Sequence, residues 1–378
     1  MVAASLYLLT AVGAAAAVAL WWCQRSVLRS PPPPAPPFAP HVSILKPLRG
    51  LDDGLEENLR SFFTLDYPRY EIVFAAGDEA DPALEVAHRV SAEYPWIPCR
   101  VVADPATVGV NPKVNNLANA ALRARHEVLL ISDSNVRAAP DHLRALVAHL
   151  EAPGVGLVSS TFRATGEGGV GGLLERVQLN TFVMGGVCAM RRMTHMPCVV
   201  GKSMMLRRAD LERIGGFAFL GGFLAEDQVC GEEVRALGRI VEVSGKPVDT
   251  LLGKKSVREF ASRHLRWARI RRHISPVGYL GEALLNPLPF GVAALALNPG
   301  WPTLVLAAGS LLLMSSLAAT AERRMGVRRR LASYPVLELL RGSIITLLWA
   351  VPFVSGSVMW RGNRLKIGPR TRLVRLPS

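Results

Sequence analysis

The chain has 378 residues, half of them hydrophobic, and its formal net charge is +14. This length is enough for one large domain with accessory elements, and the apolar composition indicates a membrane protein. The five cysteines contain no CxxC pair, which argues against a disulfide framework and a zinc site and favours a reducing compartment. The basic residues cluster beside apolar segments without zinc-finger or RNP-like motifs, so no nucleic-acid partner is expected.

The first element in chain order is an apolar stretch near the N-terminus, LYLLTAVGAAAAVALWWC. It has roughly the 18 residues that a membrane helix needs. No lysine or arginine precedes it, whereas Arg25 and Arg29 follow it, which predicts a retained anchor with an outside N-terminus rather than a cleaved signal peptide. We assign residues 1–24 to this anchor and residues 25–40, which include SPPPPAPPFAP, to an extended proline-rich linker.

A soluble domain is predicted from residue 41 to residue 275. Short β-rich runs such as HVSILKP, YEIVFAAG, CRVVAD and EVLLISDS alternate there with helical patterns such as ALEVAHRVSAEY and KVNNLANAALRAR. This rhythm is typical of an α/β fold in which helices cover both faces of a mostly parallel sheet. Ligands of such sheets bind beyond the carboxyl ends of the strands, where KPLRG, AGDEADP and SDSN all fall.

Residues 276–360 are apolar again, and residues 361–378 form a basic tail that we expect on the cytosolic side. LLNPLPFGVAALALNPG and WPTLVLAAGSLLLMSSLAAT are compatible with a hairpin of two membrane helices. The next stretch, ASYPVLELLRGSIITLLWAVPFVSGSVMW, contains Arg341 and Pro352 between basic flanks. If both flanks are cytosolic, this stretch is re-entrant or interfacial. About two to four C-terminal membrane helices or re-entrant segments are therefore expected.

Acidic residues after two strands are the first candidates for chemistry. SDSN places Asp133 and Asn135 after a buried strand, where a carboxylate can hold a divalent cation or a ribose, although Asp-Ser-Asn is also a common turn. AAGDEADP places Asp78 and Asp81 after an earlier strand. Because Asp81 directly precedes Pro82, helix N-capping explains this aspartate at least as well as a ligand contact does. Asp78 is therefore the better candidate for binding a base or a ribose hydroxyl.

Two further groups stand at predicted helix starts. Lys113 follows an Asn-Pro turn. A lysine at this position can contact a phosphate near the helix N-terminus, and a lysine that is simply exposed to solvent is the alternative. Glu226 and Asp227 follow a glycine-rich stretch. Stabilisation of the helix dipole explains these acids about as well as a general base for an acceptor hydroxyl does.

The stretch RHLRWARIRR, residues 263–272, combines positive charge with an aromatic side chain. In a helix, Arg263, Arg266 and Trp267 share one face. That face is either a cationic collar on a membrane surface or a set of rigid charges that grip an anionic ligand.

The segment of residues 173–206 matches no motif. It is apolar enough to lie near the membrane and shape an acceptor pocket, and a buried hairpin of the domain explains it equally well. His195 within this segment is more typical of a structural histidine than of a catalytic one.

The order of these motifs resembles that of the processive and lipid-directed inverting glycosyltransferases with a GT-A fold. Their pattern is a strand-end Asp, DxD, ED and (Q/R)xxRW followed by membrane spans, and this chain has Asp78, SDSN, EDQ and RHLRW in that order. With VSILKPLRGLDDGLEENLRSFF and GVNPKVNNL, the chain looks closest to the ceramide glucosyltransferases of glycosyltransferase family 21. It is nearly as close to bacterial hopanoid glycosyltransferases. The similarity runs from about residue 42 to residue 267 and is weaker out to WRGNRLKIG.

The resemblance implies a role for each matching residue. Asp227 would be the general base, beside Glu226, and Asp133 would be the protein ligand of Mg²⁺ or Mn²⁺. Because Asn135 stands where the motif has its second carboxylate, such a cation would also rely on phosphates and waters. The implied contacts are Lys46, Pro47, Asp78, Lys113, Asp133 and Asn135 for the UDP-sugar, and Arg263, Arg266 and Trp267 for the diphosphate and the acceptor. The arginines of residues 269–272 are then left for the interfacial collar.

The implied function is transfer of a sugar, glucose in the simplest case, from a UDP-sugar to the hydroxyl of a membrane lipid such as ceramide, with inversion. A hopanoid or another lipid that receives N-acetylglucosamine or another sugar is the alternative, and a polysaccharide synthase would need more membrane spans. A silent membrane scaffold would have no reason to bury Asp133, Asp227, Arg263 and Arg266. The expected partners are the UDP-sugar, the lipid and the bilayer; the oligomeric state is open. The expected location is a bacterial plasma membrane with a cytosolic active site.

Overall fold

The computed structural model describes residues 2–166, 168–196, 198–355, 357–360 and 363–375. Met1 of the predicted anchor and residues 361, 362 and 376–378 of the predicted basic tail lie outside the described residues. The chain divides into two compact units. The α/β unit comprises Val27–Ala164 and Met190–Leu251, and the helical unit comprises Met1–Ser26, Thr165–Ala189 and Leu252–Ser378. The predicted domain boundaries at residues 24, 40, 275 and 360 stay a prediction.

The elements are numbered in chain order. The strands are β1 Val42–Pro47, β2 Tyr70–Ala76, β3 Cys99–Ala103, β4 Val128–Ser132, β5 Val136–Arg137, β6 Val155–Thr165, β7 Ser203–Arg207, β8 Ile240–Leu251, β9 Ser357–Trp360, β10 Asn363–Ile367 and β11 Leu373–Arg375. The helices are α1 Val2–Arg29, α2 Leu55–Arg60, α3 Pro82–Ala92, α4 Pro112–Arg123, α5 His142–Leu150, α6 Gly169–Gln178, α7 Met184–Ala189, α8 Arg208–Arg213, α9 Gly216–Leu220, α10 Glu226–Ala236, α11 Val257–Ile274, α12 Pro276–Gly281, α13 Leu288–Leu297, α14 Trp301–Arg324 and α15 Tyr334–Ala350. Two π-helical turns, Leu179–Val183 and Met190–Thr194, flank α7.

The α/β unit is built on a sheet with the strand order β3-β2-β1-β4-β7-β6-β8-β5. Strands β3, β2, β1 and β4 are parallel, and β1, β2 and β4 are buried along their whole length. A strand buried on both faces reads as a continuous apolar run, so the α/β class was predictable and is confirmed. Strand β7 pairs antiparallel with β4 and with β6, and β8 pairs antiparallel with β5. An apolar run carries no signal of strand direction, and the sequence therefore did not reveal this half of the sheet.

Two helices of this unit begin with the same local signal. Asp81 caps α3 by accepting a hydrogen bond from the backbone N–H of Ala83 at 2.9 Å. Asn111 caps α4 in the same way through the N–H of Lys113 at 3.0 Å. In each case proline is the first helical residue, where its missing N–H costs nothing. The caps fix where each helix starts after the carboxyl end of a strand, and they confirm the N-cap interpretation of Asp81.

The helical unit contains helices long and apolar enough to cross a membrane. Ala4–Arg29, Trp301–Arg324 and Leu331–Phe353 meet this criterion by length and composition. The segments Pro276–Leu285 and Leu288–Leu297 are bent by 63° and would make a broken span or a re-entrant loop. The stretch around Arg341 therefore forms a helix of spanning length. Buried Glu338 pairs with Arg341 one turn away, which offsets the charge of that arginine within an apolar helix. The re-entrant or interfacial path, which was inferred from the basic flanks, stays a prediction.

A buried ion pair joins two helices of the helical unit. Arg176 of α6 donates from Nε to the Glu322 carboxylate of α14 at 2.9 Å, and both side chains are almost fully buried. The same carboxylate accepts from Tyr334 Oη at 2.8 Å and from Asn180 Nδ2 at 3.2 Å. These donors satisfy a charge that would otherwise be costly in an apolar environment.

We expect Glu322→Ala to destabilise the protein by about 3–5 kcal/mol, because it leaves the Arg176 guanidinium buried without its counter-ion. Denaturant unfolding of the detergent-solubilised protein measures this loss. Glu85→Ala is the matched control, since the Glu85 side chain is 85% exposed and its ion pair with Arg89 is long, at 4.0 Å. We expect this variant to lose less than about 1 kcal/mol of stability. Equal stability of the two variants would contradict the structural role of this pair.

Candidate active site

Lys113 stands at the centre of a cluster of charged side chains in the α/β unit. Its Nζ lies 2.7 Å from the Asp133 carboxylate and 2.9 Å from that of Glu226. Burial alone would lower the pKa of Lys113, but the carboxylates of Asp133, Glu226 and Asp227 raise it above its ordinary value. Lys113 is therefore a fixed positive charge that joins the end of β4 to the start of α10.

Asp227 lies beside this pair without taking part in it. Its two carboxylate oxygens accept hydrogen bonds from the backbone N–H groups of Gly201, at 2.5 Å, and Gln228, at 2.8 Å. Burial, followed by the neighbouring negative charge of Glu226, raises the pKa of Asp227 to about 6. A carboxylate poised near neutral pH and held in place by two donors can accept a proton from a substrate hydroxyl.

The neighbouring Glu226 is held by a hydrogen bond and an ion pair. It accepts a hydrogen bond from Asn111 Nδ2 at 3.1 Å in addition to the ion pair with Lys113. Asn111 also donates to the carbonyl of Phe223 at 2.8 Å, so one side chain caps α4 and orients the acid that begins α10. Because both of these partners are fixed, the Glu226 carboxylate is held in one position.

Lys46 supports the loop after β4 from within the core. It is fully buried, and its Nζ donates to the Asp133 carbonyl at 2.8 Å and lies 3.6 Å from the ring centroid of Phe62. Burial lowers the pKa of Lys46 to about 7, although the charge of Asp133 opposes this shift. Pro47, which ends β1, is buried as well. The implied contacts of Lys46 and Pro47 with a nucleotide stay a prediction.

Asp133 and Asn135 supply oxygen atoms of the kind that Mg²⁺ and Mn²⁺ prefer. Lys202 Nζ donates to Asn135 Oδ1 at 2.7 Å and lies 3.6 Å from the Asp133 carboxylate. Burial would raise the pKa of Asp133, but Lys113 and Lys202 hold it below its ordinary value. Within the described part of the chain, no three His, Cys, Asp or Glu side chains form a metal-binding group. The residues fit a cation only if phosphate oxygens and waters complete its shell.

The strand-end residue Asp78 is separate from these contacts. Its carboxylate is exposed and accepts a hydrogen bond from the N–H of Ala80 at 2.9 Å. Asp81, by contrast, binds the N–H of Gly50 at 2.9 Å and so holds the turn after β1. Asp78 thus presents an exposed carboxylate at the sheet edge, whereas the oxygens of Asp81 are used by the fold.

The predicted motif RHLRW lies on α11 of the helical unit. A capping box between Ser256 and Glu259 starts this helix. Arg263 lies 5.1 Å from the ring centroid of Trp267, which agrees with a shared face, and its Nε is 2.9 Å from the carboxylate of fully buried Glu175. Arg263 is therefore held by a counter-ion within its own unit. Arg266, like Trp267, is half-buried.

Two residues that sequence reasoning missed come from the segment that matched no motif. Gly201 donates its N–H to Asp227, and Lys202 contacts both Asp133 and Asn135. Both precede β7, which pairs with β4 and so reaches the same edge of the sheet. A lysine directly before the apolar run SMML was the available signal. His195 of this segment is exposed and bonds Arg191 at 3.1 Å.

Comparison with known proteins places the chain in a family. The model of the family described as glycosyl transferase family 21 matches residues 5–373. The chain belongs to glycosyl transferase family 21. The family was predicted from the ordered motifs of the sequence, and that prediction is confirmed.

Proteins similar in sequence to this chain include ceramide glucosyltransferases. Ceramide glucosyltransferase 3 of Caenorhabditis elegans is 31% identical over 268 residues, which cover 68% of this chain and 57% of that protein. The ceramide glucosyltransferase of Komagataella phaffii is 27% identical over 309 residues, which cover 67% of this chain and 60% of that protein. The chain thus spans less than two thirds of the length of these relatives.

A solved structure supports the fold. The mannosyltransferase PcManGT from Pyrobaculum calidifontis, solved in complex with GDP-Man and Mn²⁺, is similar with a TM-score of 0.54 and 21% identity, covering 93% of this chain and 97% of that one. The predicted GT-A fold is thereby confirmed.

We expect Gly201→Ala to destabilise the protein by about 1–3 kcal/mol, the usual cost of overpacking. A Cβ atom there would lie 2.8 Å from Lys113 Nζ and 2.9 Å from the Asp227 carboxylate. Gly222→Ala is the matched control, because its Cβ would meet no atom closer than the Phe219 carbonyl at 3.7 Å. Denaturant unfolding compares the two variants. Similar stability would show that the cluster around Gly201 is not rigid.

Proposed function

We propose that this chain is an inverting membrane glycosyltransferase that transfers glucose from UDP-glucose to the hydroxyl of ceramide. Family membership and the names of the relatives support glucose and ceramide. The observation that carries the proposed chemistry is the partly buried Asp227, whose raised pKa and two backbone donors suit a general base.

The proposed step is one in-line displacement. The acceptor hydroxyl loses its proton to Asp227 while its oxygen forms a bond to the anomeric carbon of glucose. The bond between that carbon and the diphosphate oxygen breaks, and UDP leaves with the electron pair. A single base and no enzyme nucleophile imply inversion at the anomeric carbon.

The leaving diphosphate needs positive charge, and the cluster offers it. Lys113 and Lys202 both lie within ion-pair distance of Asp133, so a diphosphate near that carboxylate would meet two ammonium groups. Asp133 and Asn135 would hold a divalent cation together with phosphate oxygens. When bound, that cation supplies Lewis-acid stabilisation of the leaving group. Asp78 is proposed to receive the base or the ribose.

The motif on α11 is proposed to bind the diphosphate and the acceptor. Arg266 offers a planar guanidinium suited to bidentate phosphate contacts, and Trp267 an aromatic face. Arg263 acts through its ion pair with Glu175, which keeps the shared face of the helix in one orientation. The apolar helices suit a protein of a membrane, and we propose the bacterial plasma membrane with the catalytic groups on the cytosolic side.

We expect Asp227→Asn to lower kcat by about 10²–10⁴-fold, because the amide cannot accept the hydroxyl proton. Labelled UDP-glucose and ceramide, with the product identified by mass, measure the transfer. UDP affinity should remain near that of the wild type. Asp66→Asn is the control, since the Asp66 side chain is 69% exposed and pairs with Arg144 on the surface. Full transfer by Asp227→Asn would exclude Asp227 as the base.

The acid limb of the pH–rate profile should reflect Asp227. Because the deprotonated carboxylate is the base, kcat/KM rises with pH through a value near 6, the raised pKa of Asp227. Glu226→Gln removes the neighbouring negative charge that helps to raise this pKa, so the limb should move to lower pH. A limb that stayed in place or moved upward would assign it to another group.

A further inference from the structure

Two long apolar helices of the helical unit meet near their C-terminal ends. Trp21 of α1 donates from its indole Nε1 to Thr320 Oγ1 of α14 at 2.9 Å. Both residues lie in the last third of their helices, and each helix is long and apolar enough to cross a membrane. The contact therefore places the C-terminal ends of the two helices at the same membrane face.

Two guanidinium groups from different helices lie against the same indole ring. Arg25 Cζ is 5.8 Å from the ring centroid of Trp21, and Arg324 Cζ is 4.3 Å from it. These cation–π contacts hold two positive charges beside one aromatic side chain. Tryptophan is typical of the level of the lipid head groups, because its ring is apolar and its N–H is polar. Both charges are therefore expected at the depth of the lipid phosphates.

The connector between α14 and α15 adds charge at the same end. Gly326 has a left-handed φ of 80°, and the N–H of Val327 donates to the Glu322 carbonyl at 2.9 Å. This is a helix ending in which a glycine turns the chain away from the helix axis. Tyr334 Oη at the start of α15 bonds the Glu322 carboxylate at 2.8 Å, so residues 325–333 stay beside the end of α14. This connector contains Arg328, Arg329 and Arg330.

The acidic residues of the flanking sequence do not balance these charges. The chain has no aspartate or glutamate before Asp52, and none between Glu322 and Glu338. Glu322 is buried and pairs with Arg176, and Glu338 is buried and pairs with Arg341. Five arginines at this end, exposed or half-buried, define the basic patch: Arg25, Arg323, Arg324, Arg328 and Arg330.

We propose that the basic patch binds the phosphate of an anionic membrane phospholipid such as phosphatidylglycerol. Guanidinium groups match phosphate oxygens in a bidentate geometry. A zwitterionic phospholipid carries its own ammonium group beside the phosphate and gains less from the same arginines. The position of Trp21 at the end of two membrane-length helices favours a lipid head group over a soluble anion. The inference goes beyond the proposed sugar transfer, because it concerns binding of a lipid that is not a reactant.

The first test places the full chain in phosphatidylcholine vesicles that contain a small share of brominated lipid. Bromine on an acyl chain quenches tryptophan fluorescence at short range. We expect brominated phosphatidylglycerol to reach Trp21 with a preference of roughly fivefold or more over brominated phosphatidylcholine, about the effect of one arginine near the membrane surface. Equal quenching by the two lipids would overturn the proposal.

Tryptophan variants locate the quenched side chain. Trp21→Phe should remove the excess quenching by phosphatidylglycerol. Trp301→Phe is the matched control, since Trp301 is the first residue of α14, at the opposite end of that helix, and is 75% exposed. This control should keep the excess. Excess quenching that persisted in Trp21→Phe and disappeared in Trp301→Phe would place the lipid at the other membrane face and refute the site.

Charge variants of the exposed connector test the patch without changing the contacts of Trp21. Arg328→Gln combined with Arg330→Gln should lower the preference for phosphatidylglycerol by roughly three- to tenfold. The matched control is Arg144→Gln combined with Arg213→Gln, which removes two exposed arginines from the α/β unit. The preference should change less than twofold in this control. Equal loss in both double variants would show a general effect of net charge and contradict a site at the patch.

The pair of arginines beside Trp21 has its own arm. Arg25→Gln combined with Arg324→Gln should lower the preference at least as much as the connector variant does. Arg25→Lys combined with Arg324→Lys keeps the charge and should retain most of the preference. Equal loss in the glutamine and lysine variants would assign the effect to packing of the indole ring rather than to charge.

Inorganic phosphate distinguishes a lipid head group from a soluble anion. Replacing chloride by phosphate at constant ionic strength should leave the preference for phosphatidylglycerol unchanged, whereas raising the total salt concentration should weaken it through screening. Loss of the preference at constant ionic strength would show that the patch binds free phosphate and would overturn the lipid assignment. A preference that did not respond to salt would contradict binding by exposed charges.

Discussion

The charge balance around Lys113 is the constraint on which the α/β unit depends. Three buried or partly buried acids, Asp133, Glu226 and Asp227, stand around this one ammonium. Lys113 bonds directly to the first two, whereas Asp227 accepts hydrogen bonds from two backbone N–H groups. This division separates the acids chemically: Asp133 is held ionised, whereas burial and Glu226 raise the pKa of Asp227. Adjacent carboxylates acquire different tasks when their partners differ in this way.

The helical unit also balances its buried charges by pairing them, with residues of its own. Its long apolar helices contain Glu322, Glu338 and Arg341, all nearly fully buried. Glu322 binds Arg176, and Arg341 binds Glu338 and Gln178. Such pairs cost desolvation and contribute little net stability, but they fix which faces of α6, α14 and α15 meet. A cavity of about 210 Å³ lies among the helices of this unit, and it can persist because polar pairs, rather than close apolar packing alone, set the positions of those helices.

Much of the α/β unit could be predicted because its signals are local. Buried apolar runs marked the strands, and the pairs Asp81-Pro82 and Asn111-Pro112 marked two helix starts. What could not be predicted depends on contacts distant in sequence. Lys202 meets Asp133 and Asn135 only because β7 pairs with β4 across about 70 residues of chain. A lysine bound to carboxylates and one that faces a phosphate also look alike in sequence, so the ion pairs of Lys113 were not foreseen.

Helix α11 shows why a single motif can carry two constraints. Arg263 and Trp267 lie one turn apart and interact with each other, while His264, Ala268 and Arg271 line the cavity of the helical unit. Successive residues of a helix differ by about 100° around its axis and 1.5 Å along it, so the two stripes lie side by side at fixed spacing. The ion pair of Arg263 with Glu175 and that of Arg271 with Glu282 hold the helix at two positions about two turns apart. A rotation that improved one stripe would displace the other, and the two sets of contacts therefore cannot vary independently.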